Sequence, residues 1–456
     1  MAAVPRPAIA NVIKGEFCIG CGACNAVDSS FRVASAENGE LRVLDLPSDA
    51  EALARADRVC PFASAPDEDQ LGLEQFGEDA AYTDGIGRHV TLYAGWAQAT
   101  RAEAGSGGLT RWLLAELLER GEVDYVVQVD QSGGVYQPGE ALFGYAVHTS
   151  AAELLSHVAS SAYYPVTLQG MFEHIANRPG RCAVTALPCF ARAVRSVMRE
   201  RPELRERIRF VSGVICGSLK SRRYADYLSF QMGVAPRDLG KVNFRGKSLS
   251  RKPSEKCVEV WKRGSAVAEP DKVARVQDLD GTRYDLGYFK YKGCDWCDDV
   301  LAETADIAFG DAWFPPYSRD PRGTNVVVVR NRELADILQA AFRHGEIELH
   351  PIGPEDVLRS QGGGLRHRRN GLAFRLKLAK LFGRWTPRKR VAPRWLGPAA
   401  TVEQFRRVLI RMITRSPRVS ITGRAMPAAI GGVLGTARVL TLFINGARRV
   451  YRRTGG

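Results

Sequence analysis

The sequence lacks two features that would place the chain in a membrane or outside the cell. Residues 1–10 do not combine a charged start with a long apolar run, as a secretory signal does. The most apolar stretch, residues 425–437, falls short of the ~20 residues needed to span a bilayer, and Arg438 interrupts it. We therefore expect a cytoplasmic protein, with peripheral contact at the inner membrane face left open.

Internal repeats and nucleic-acid-binding motifs are also missing. The composition is that of a globular protein. The chain has 456 residues, 45% of them hydrophobic, enough for two or three domains with proper cores. Its ten cysteines are concentrated in short spacings. This usage suits metal binding in a reducing compartment better than a disulfide scaffold.

Acidic residues are nearly absent from one end of the chain. After Gly364 there are 22 Lys and Arg but a single acid, Glu403, so residues 365–456 carry a charge of +21. The residues before them hold 42 basic and 49 acidic side chains, a charge of −7. The overall charge of +14 therefore belongs to a basic extension attached to a mildly acidic body.

The extension, residues 365–456, is predicted to be helical and partly amphipathic. Residues 402–413 and 429–450 interleave arginines with apolar side chains. For such segments we rank two roles first: docking on an acidic partner and lying on an anionic membrane. A disordered tail ranks second and nucleic-acid binding last, because the body carries no nucleic-acid motif.

The first 65 residues have the cysteine spacing of an iron–sulfur site. Three cysteines follow one another at two-residue intervals and a fourth precedes a proline. Gly20 and Gly22 let the backbone turn tightly between them, and Asp28 stands where a two-cluster ferredoxin would have a further cysteine. A zinc site or buried thiols are the alternatives. The ligands predicted for one 4Fe-4S cluster are Cys18, Cys21, Cys24 and Cys60.

Strands alternate with helices in the body, which predicts an α/β fold with a mixed or parallel sheet. Residues 66–86 are acidic and contain glycine, as in a linker, and residues 87–364 form the predicted body. Around Asn38-Gly39 a hairpin is expected within the N-terminal segment. The strands predicted for the body are residues 90–95, 123–129, 182–187, 209–216, 242–247, 305–313 and 324–330.

A glycine-rich turn opens a predicted helix near residue 110. Free backbone N–H groups at such a turn favour an anion, which makes it a possible cradle for a phosphate or a flavin. An ordinary helix N-terminus preceded by flexible glycines is the alternative. The residues concerned are Ser106, Gly107, Gly108 and Thr110.

A second set of four cysteines lies in the body, two near the ends of predicted strands and two in a CxxC motif. Four thiolates are what a second 4Fe-4S cluster requires. A redox-active disulfide, a zinc site and small buried side chains are the alternatives. The set is Cys189, Cys216, Cys294 and Cys297. Cys182 and Cys257 have no partners at metal spacing, and we interpret them as structural.

Taken in order, several stretches between about residues 10 and 335 resemble the family of coenzyme F-420 hydrogenase/dehydrogenase beta subunits, which includes flavin–iron–sulfur reductases of chlorophyll-type tetrapyrroles. They are the CxxCxxC run at Cys18, Ser106-Gly107-Gly108 with Val123-Asp124, Leu187-Pro188-Cys189, Ile215-Cys216-Gly217, residues 243–247, Cys294-Asp295-Trp296-Cys297 and residues 305–313.

This resemblance implies an FAD on the α/β body, one or two 4Fe-4S clusters, and electron transfer between a ferredoxin-like carrier or partner subunit and an organic hydride acceptor or donor. It places Ser106, Gly107, Gly108 and Thr110 near the flavin phosphates, Asn243, Arg245 and Lys247 near flavin or substrate, and the two cysteine sets on the clusters. Family members commonly carry a lysine where this chain has Ala162, so the substrate, and the deazaflavin itself, are left open.

We therefore predict an FAD- and 4Fe-4S-dependent oxidoreductase, in which the flavin converts single electrons from the clusters into a hydride. A ferredoxin-dependent reductase of another organic substrate, tetrapyrrole or other, and a non-catalytic electron-transfer subunit or redox sensor are the alternatives. Arg245 and Lys247 would stabilise a reduced flavin or an acidic substrate, or be solvated cations of a turn. For Asp311 a structural role is expected, and the sequence assigns no catalytic residue.

Overall fold

The computed structural model describes residues 7–131, 141–157, 161–247, 254–265 and 268–453, with side chains described up to residue 445. Its strands are β1 Val33–Ser35, β2 Leu41–Val43, β3 Ala81–Thr83, β4 Gly87–His89, β5 Thr91–Ala97, β6 Tyr125–Gln131, β7 Phe143–His148, β8 Cys182–Ala186, β9 Ile208–Val214, β10 Leu239–Gly246, β11 Cys257–Lys262, β12 Lys272–Arg275, β13 Ile307–Asp311, β14 Asn325–Val329 and β15 Ile347–Pro351.

The helices of the N-terminal segment and the body are α1 Ala8–Lys14, α2 Ala23–Val27, α3 Ala50–Val59, α4 Glu68–Phe76, α5 Gln98–Arg101, α6 Leu109–Glu119, α7 Ala151–Ser156, α8 Met171–Asn177, α9 Pro188–Glu200, α10 Pro202–Arg207, α11 Arg222–Gln231, α12 Arg332–Arg343 and α13 Pro354–Ser360. Those of the extension are α14 Gly362–Leu365, α15 Leu372–Leu381, α16 Pro398–Arg415 and α17 Ala425–Arg453, with a π-helical turn, Arg366–Gly371, joining α14 to α15.

An eight-stranded mixed sheet forms the centre of the body, in the order β15-β5-β14-β13-β9-β8-β6-β7. The four strands β13, β9, β8 and β6 are parallel, and antiparallel strands flank them on both sides. All five residues of β8 and of β14 are buried, as expected for strands covered on both faces. The predicted α/β class with a mixed sheet is confirmed.

Cys189 and Cys216 lie beyond the carboxyl ends of two neighbouring parallel strands. The strand β8 ends at Ala186, and Pro188 begins α9, so Cys189 lies in the first helical turn instead of in a loop. Proline suits this position because the first N–H groups of a helix have no partner within the helix. Open sheets place their sites at this edge.

The N-terminal segment has its predicted hairpin, while the predicted linker is largely regular structure. Val33 pairs with Val43 across the turn at Asn38-Gly39. Within residues 66–86 the structure has α4 and the strand β3. Asp67 caps α4 by accepting a hydrogen bond from the Gln70 N–H, 3.0 Å away. The acidic run therefore marks a helix N-terminus, where carboxylates are favourable.

Arginines of the basic extension pair with carboxylates of the body. Arg390 donates to Glu303 over 2.7 Å, and Arg411 lies 2.7 Å from Asp295. All four of these side chains are less than 10% exposed. The acidic partner that the sequence suggested for the extension is therefore, for these arginines, the chain's own body.

The last helix, α17, corrects the prediction that no apolar stretch is long enough for a membrane. The helix continues through Arg438, and its residues Ala425–Asn445 are long and apolar enough to cross a bilayer by length and composition alone. Met426 and Ile430 are buried, whereas Leu442 and Phe443 are exposed. One such helix is weak evidence for a span.

Replacing Arg415 by Met should destabilise the fold, because Arg415 forms two hydrogen bonds, of 2.6 and 2.8 Å, to the buried carboxylate of Glu40. Removing one partner of a buried ion pair leaves the other charge uncompensated. With Arg42 still 3.6 Å from Glu40, we expect the free energy of unfolding in urea to fall by about 3 kcal/mol, the low end of the usual range.

The matched control is Arg275→Met, because Arg275 pairs with Asp278 at the half-exposed surface. Exposed pairs contribute little, so this variant should lose less than about 1 kcal/mol. Equal losses in the two variants would contradict a folding role for the extension.

Candidate functional site

All four N-terminal cysteines line one small apolar cavity, so the structure brings the predicted first set together. Aliphatic side chains of the first helix and of the hairpin complete its wall, among them Val12, Ile13, Val33 and Val43. Cys18 Sγ accepts the backbone N–H groups of Gly20 and Val43 at 3.5 Å each. The cavity is therefore a sulfur-lined site in an otherwise apolar environment.

Gly20 and Gly22 both have the left-handed backbone that the cysteine run requires, with φ of +69° and +86°. A Cβ at Gly22 would lie 2.4 Å from the Gln169 nitrogen, and one at Gly20 would lie 2.3 Å from the Leu41 carbonyl oxygen. The loop thus approaches the hairpin on one side and the body on the other more closely than any side chain allows.

The second set of cysteines also comes together. Burial raises the pKa of Cys189 well above its ordinary value, and the neighbouring charges of the other three thiols of this set add to the rise. Cys294 Sγ accepts the Leu219 N–H at 3.3 Å. Four thiols that the sequence separates by up to 108 positions thus lie together, three of them buried and Cys189 partly buried.

The two cysteine sets are neighbours. Cys21 of the first set contributes to the raised pKa of Cys189 in the second. A Cβ at Gly293, next to the CxxC motif, would lie 2.5 Å from the Phe17 carbonyl oxygen, so the two motifs touch through their backbones. The rings of Phe17 and Trp296 also pack edge to face, with centroids 5.6 Å apart.

Arg368, from the π-helical turn of the extension, is the cation nearest to the second set among the described contacts. Its Nη2 lies 3.9 Å from Cys216 Sγ and donates to the Gly217 carbonyl over 2.9 Å. Burial opposes its charge, but the thiols of Cys297 and Cys216 outweigh that effect and raise its pKa well above the usual range. In the sequence, Arg368 is only one of the many cations of the basic extension. Its role could not be predicted, because no sequence pattern indicates the π-helical turn.

The glycine-rich turn and the cations of β10 also meet. Arg245 donates to the Gly105 carbonyl over 3.2 Å and to both oxygens of Asp311 over 2.9 and 2.8 Å. Lys247 donates to the carbonyls of Arg101 and Ser106, over 2.5 and 3.0 Å. These side chains are therefore partly buried and paired, which excludes the interpretation of Arg245 and Lys247 as solvated cations of a turn.

The other residues predicted at this place have structural contacts. Ser106 donates to the Thr324 carbonyl over 3.1 Å, and Thr110 lies in the first turn of α6. Asn243 donates to Glu259 over 2.8 Å and accepts the Arg245 N–H at 3.0 Å. Gly107 fits against Asn325 and Gly95, where a Cβ would lie 2.7 Å from each oxygen, and Gly108 begins α6 with φ of +83°.

Tyrosines connect this cationic turn with the second cysteine set. Tyr163 lies beside Arg245 and packs edge to face on Phe244, with ring centroids 5.7 Å apart. Tyr284 lies against Gly217, the residue after Cys216: a Cβ at Gly217 would lie 2.2 Å from the Tyr284 ring. Neighbouring side chains thus lead from the first thiol set to the second, and from there towards the cationic turn.

Comparisons with known proteins agree on one family. The models for the C-terminal and N-terminal parts of the coenzyme F-420 hydrogenase/dehydrogenase beta subunit match residues 180–355 and 92–173. An F(420)H(2) dehydrogenase subunit of Methanosarcina mazei is 23% identical over 336 residues, which are 71% of this chain and 82% of that protein. A chain of the F-420-reducing nickel–iron hydrogenase complex of Methanosarcina barkeri is 18% identical, with a TM-score of 0.48, covering 68% of this chain and 99% of that one.

Replacing Gly22 by Ala should cost more stability than the same change at Gly233. Both glycines have a positive φ, so each variant loses about 1–2 kcal/mol to backbone strain. At Gly22 the added methyl group also collides with Gln169, which adds about 1–3 kcal/mol. Urea denaturation of both variants measures the difference.

Gly233 is the control because its Cβ would meet no atom within 4 Å. Equal destabilisation at the two positions would show that the cysteine loop does not depend on its close contact with the body.

Proposed function

The chain belongs to the family of coenzyme F-420 hydrogenase/dehydrogenase beta subunits, and on this premise we propose that it is an FAD- and 4Fe-4S-dependent oxidoreductase subunit. It moves electrons between a ferredoxin-like carrier or partner redox subunit and an organic hydride acceptor. The observation that carries the proposal is the arrangement of eight thiols in two neighbouring sets that lead to a cationic turn.

Both thiol sets suit iron–sulfur clusters by the chemistry of their donors. Burial raises the pKa of Cys21 and of Cys216 to about 12, so their thiolates are costly here without a positively charged partner. Cluster irons are such partners, and the N–H groups directed at Cys18 and Cys294 would donate to their sulfurs once bound. When bound, the clusters would supply single-electron transfer and the flavin would supply hydride transfer.

The cationic turn suits an anionic cofactor or substrate. Burial, together with the surrounding cations, lowers the pKa of Lys247 and that of the neighbouring Lys256 to about 8 in each case. An anion at this place would offset that repulsion. We propose that Lys247, Lys256 and Arg245 hold the flavin phosphates or an acidic substrate beside Gly108, at the start of α6.

Partner docking follows from the family and from the exposed part of the extension. The relative in Methanosarcina mazei is named as one subunit of a dehydrogenase. In this chain Arg390, Arg411 and Arg415 pair with the body, whereas α17 leaves Val439, Leu442 and Phe443 exposed. We propose that α17 provides the contact with a partner subunit or with the membrane surface.

Iron and flavin analysis of the anaerobically purified protein tests the cofactor content. We expect about eight irons and one FAD per chain, and about four irons in each of the variants Cys24→Ser and Cys297→Ser. Each substitution removes one thiolate from a different set, so each should spare the other cluster. Visible absorption of the same samples should fall in parallel.

Cys257→Ser is the matched control, because Cys257 lies in β11, away from both sets, and should keep the full iron content. About four irons and no flavin in the wild-type protein would support a cluster relay or redox sensor instead of the proposed enzyme.

Replacing Lys247 by Met should weaken FAD binding by about ten-fold or more, since a hydrogen bond from a charged donor is worth about 1.5–3 kcal/mol. Titration of the flavin-depleted protein, followed by flavin fluorescence, measures the dissociation constant. Lys241→Met is the control, because Lys241 lies in β10, the strand that Lys247 directly follows, but sits over the ring of Trp261, 4.6 Å away.

The same titration should depend on pH. Lys247, with its pKa of about 8, is protonated below that pH and loses its charge above it. FAD affinity should therefore fall as the pH rises through 8, and Lys247→Arg should make that fall smaller, because a guanidinium stays charged while Lys256 still titrates. A profile in which wild type and Lys247→Arg coincide would exclude Lys247 from the anion site.

A further inference from the structure

Three side chains of the kinds that bind metals meet at the β7 edge of the central sheet. Asp130 lies near the end of β6, His148 ends β7, and His157 directly follows α7. Their ligand atoms all lie within 4.8 Å of one another. Asp130 Oδ2 is 3.7 Å from His148 Nε2 and 3.5 Å from His157 Nε2.

These separations suit ligands of one ion better than hydrogen-bonded partners. Both exceed the usual N–H···O distance of about 2.7–3.2 Å. A tetrahedral zinc ion with bonds of about 2.0–2.1 Å keeps its ligand atoms about 3.3 Å apart. Small side-chain adjustments would therefore bring all three atoms to coordination distance.

Glu153 orients one of the two imidazoles by a hydrogen bond: its carbonyl oxygen lies 2.8 Å from His157 Nδ1. Its carboxylate lies on the Nδ1 side of His148, 3.8 Å away, which is too far for a hydrogen bond. The Nε2 atoms of both rings lie nearest Asp130. Histidines that bind metals usually have such an acceptor on the second ring nitrogen. Asp130 is held in turn by the Gln131 N–H, which donates to its Oδ1 over 2.6 Å.

His148 provides the independent sign of a ligand. It is 1% exposed, yet neither of its ring nitrogens has a hydrogen-bond partner in the described part of the chain. A buried polar group without a partner destabilises the fold. Such a group in a native structure therefore needs an explanation, and a bound ion is one.

We propose that Asp130, His148 and His157 bind a divalent transition-metal ion of the Zn²⁺ type. Two imidazoles and one carboxylate form a three-ligand set that zinc commonly uses with a fourth, open position. His157 is 41% exposed at its side chain, so the open position faces solvent.

The cation Arg111 lies close to the proposed site, but its hydrogen bonds go to groups other than the three ligand atoms. Arg111 donates through Nη2 to the carbonyls of Leu155 and His157, over 2.5 and 2.8 Å, and lies 3.5 Å from Glu103. It is therefore held by the backbone around the site. The carboxylates of Asp130 and Glu153 contribute two negative charges, which offset the positive charge of Arg111. The ion would tie β6 and β7 to the end of α7, beside α6 and its glycine-rich turn.

The test uses the full chain purified anaerobically with its own iron, loaded with one equivalent of Zn²⁺ and passed over a chelating resin. We expect about one zinc per chain, with nitrogen and oxygen ligands at about 2.0–2.1 Å by zinc-edge X-ray absorption. His157→Gln, at a half-exposed position that the core does not need, should lower zinc affinity at least ten-fold. Asp130→Asn should do the same, and neither should change the iron content.

His344→Gln is the matched control, because His344 is exposed and faces the carboxylate of Glu346 at 3.7 Å without a second imidazole. It should retain zinc like the wild type. Zinc retained equally by His157→Gln and wild type would overturn the proposal. So would sulfur ligands at about 2.3 Å, which would place the zinc among the cysteines. Neither result bears on the proposed flavin and iron–sulfur chemistry.

Discussion

The backbone contact between Phe17 and Gly293 is the constraint on which the rest of the site depends. It brings the N-terminal cysteine run directly against the CxxC motif, and only a residue without a Cβ permits that distance. Gly22 makes the corresponding contact with Gln169 on the other side of the run. Because these contacts are made by backbone atoms in dense packing, the two sets of thiols are held in one relative position. Electron transfer between two centres requires such a fixed spacing.

Positive charges of the extension pair with negative charges of the acidic body. Arg390, Arg411 and Arg415 each pair with a buried carboxylate, and Arg368 places a cation 3.9 Å from Cys216 Sγ. A positive charge beside thiolate ligands favours a more negative, reduced centre and so raises its reduction potential. The extension is therefore both a folding element and part of the electrostatic environment of the second thiol set.

Much of the fold could be predicted from the sequence, because buried strands and amphipathic helices leave a periodic pattern. The hairpin at Asn38-Gly39, the mixed α/β sheet and the helical extension are examples. The helical turn at Cys189 was not predicted, since a proline after a strand indicates either a turn or a helix start. The apolar part of α17 is longer than predicted, because a long helix can carry one arginine, here Arg438, on its surface.

Short-range features can be recognised in the amino-acid sequence: the spacing of Cys18, Cys21 and Cys24, the glycines between them, and the concentration of positive charge after Gly364. Contacts between distant groups follow from the packing of the fold. The fold assembles the second thiol set from separate elements, buries arginines of the extension such as Arg411 against the body, and brings Asp130, His148 and His157 together. The reason is physical: local spacing governs what a single loop can bind, whereas contacts between remote residues depend on how strands and helices pack, which no short-range pattern encodes.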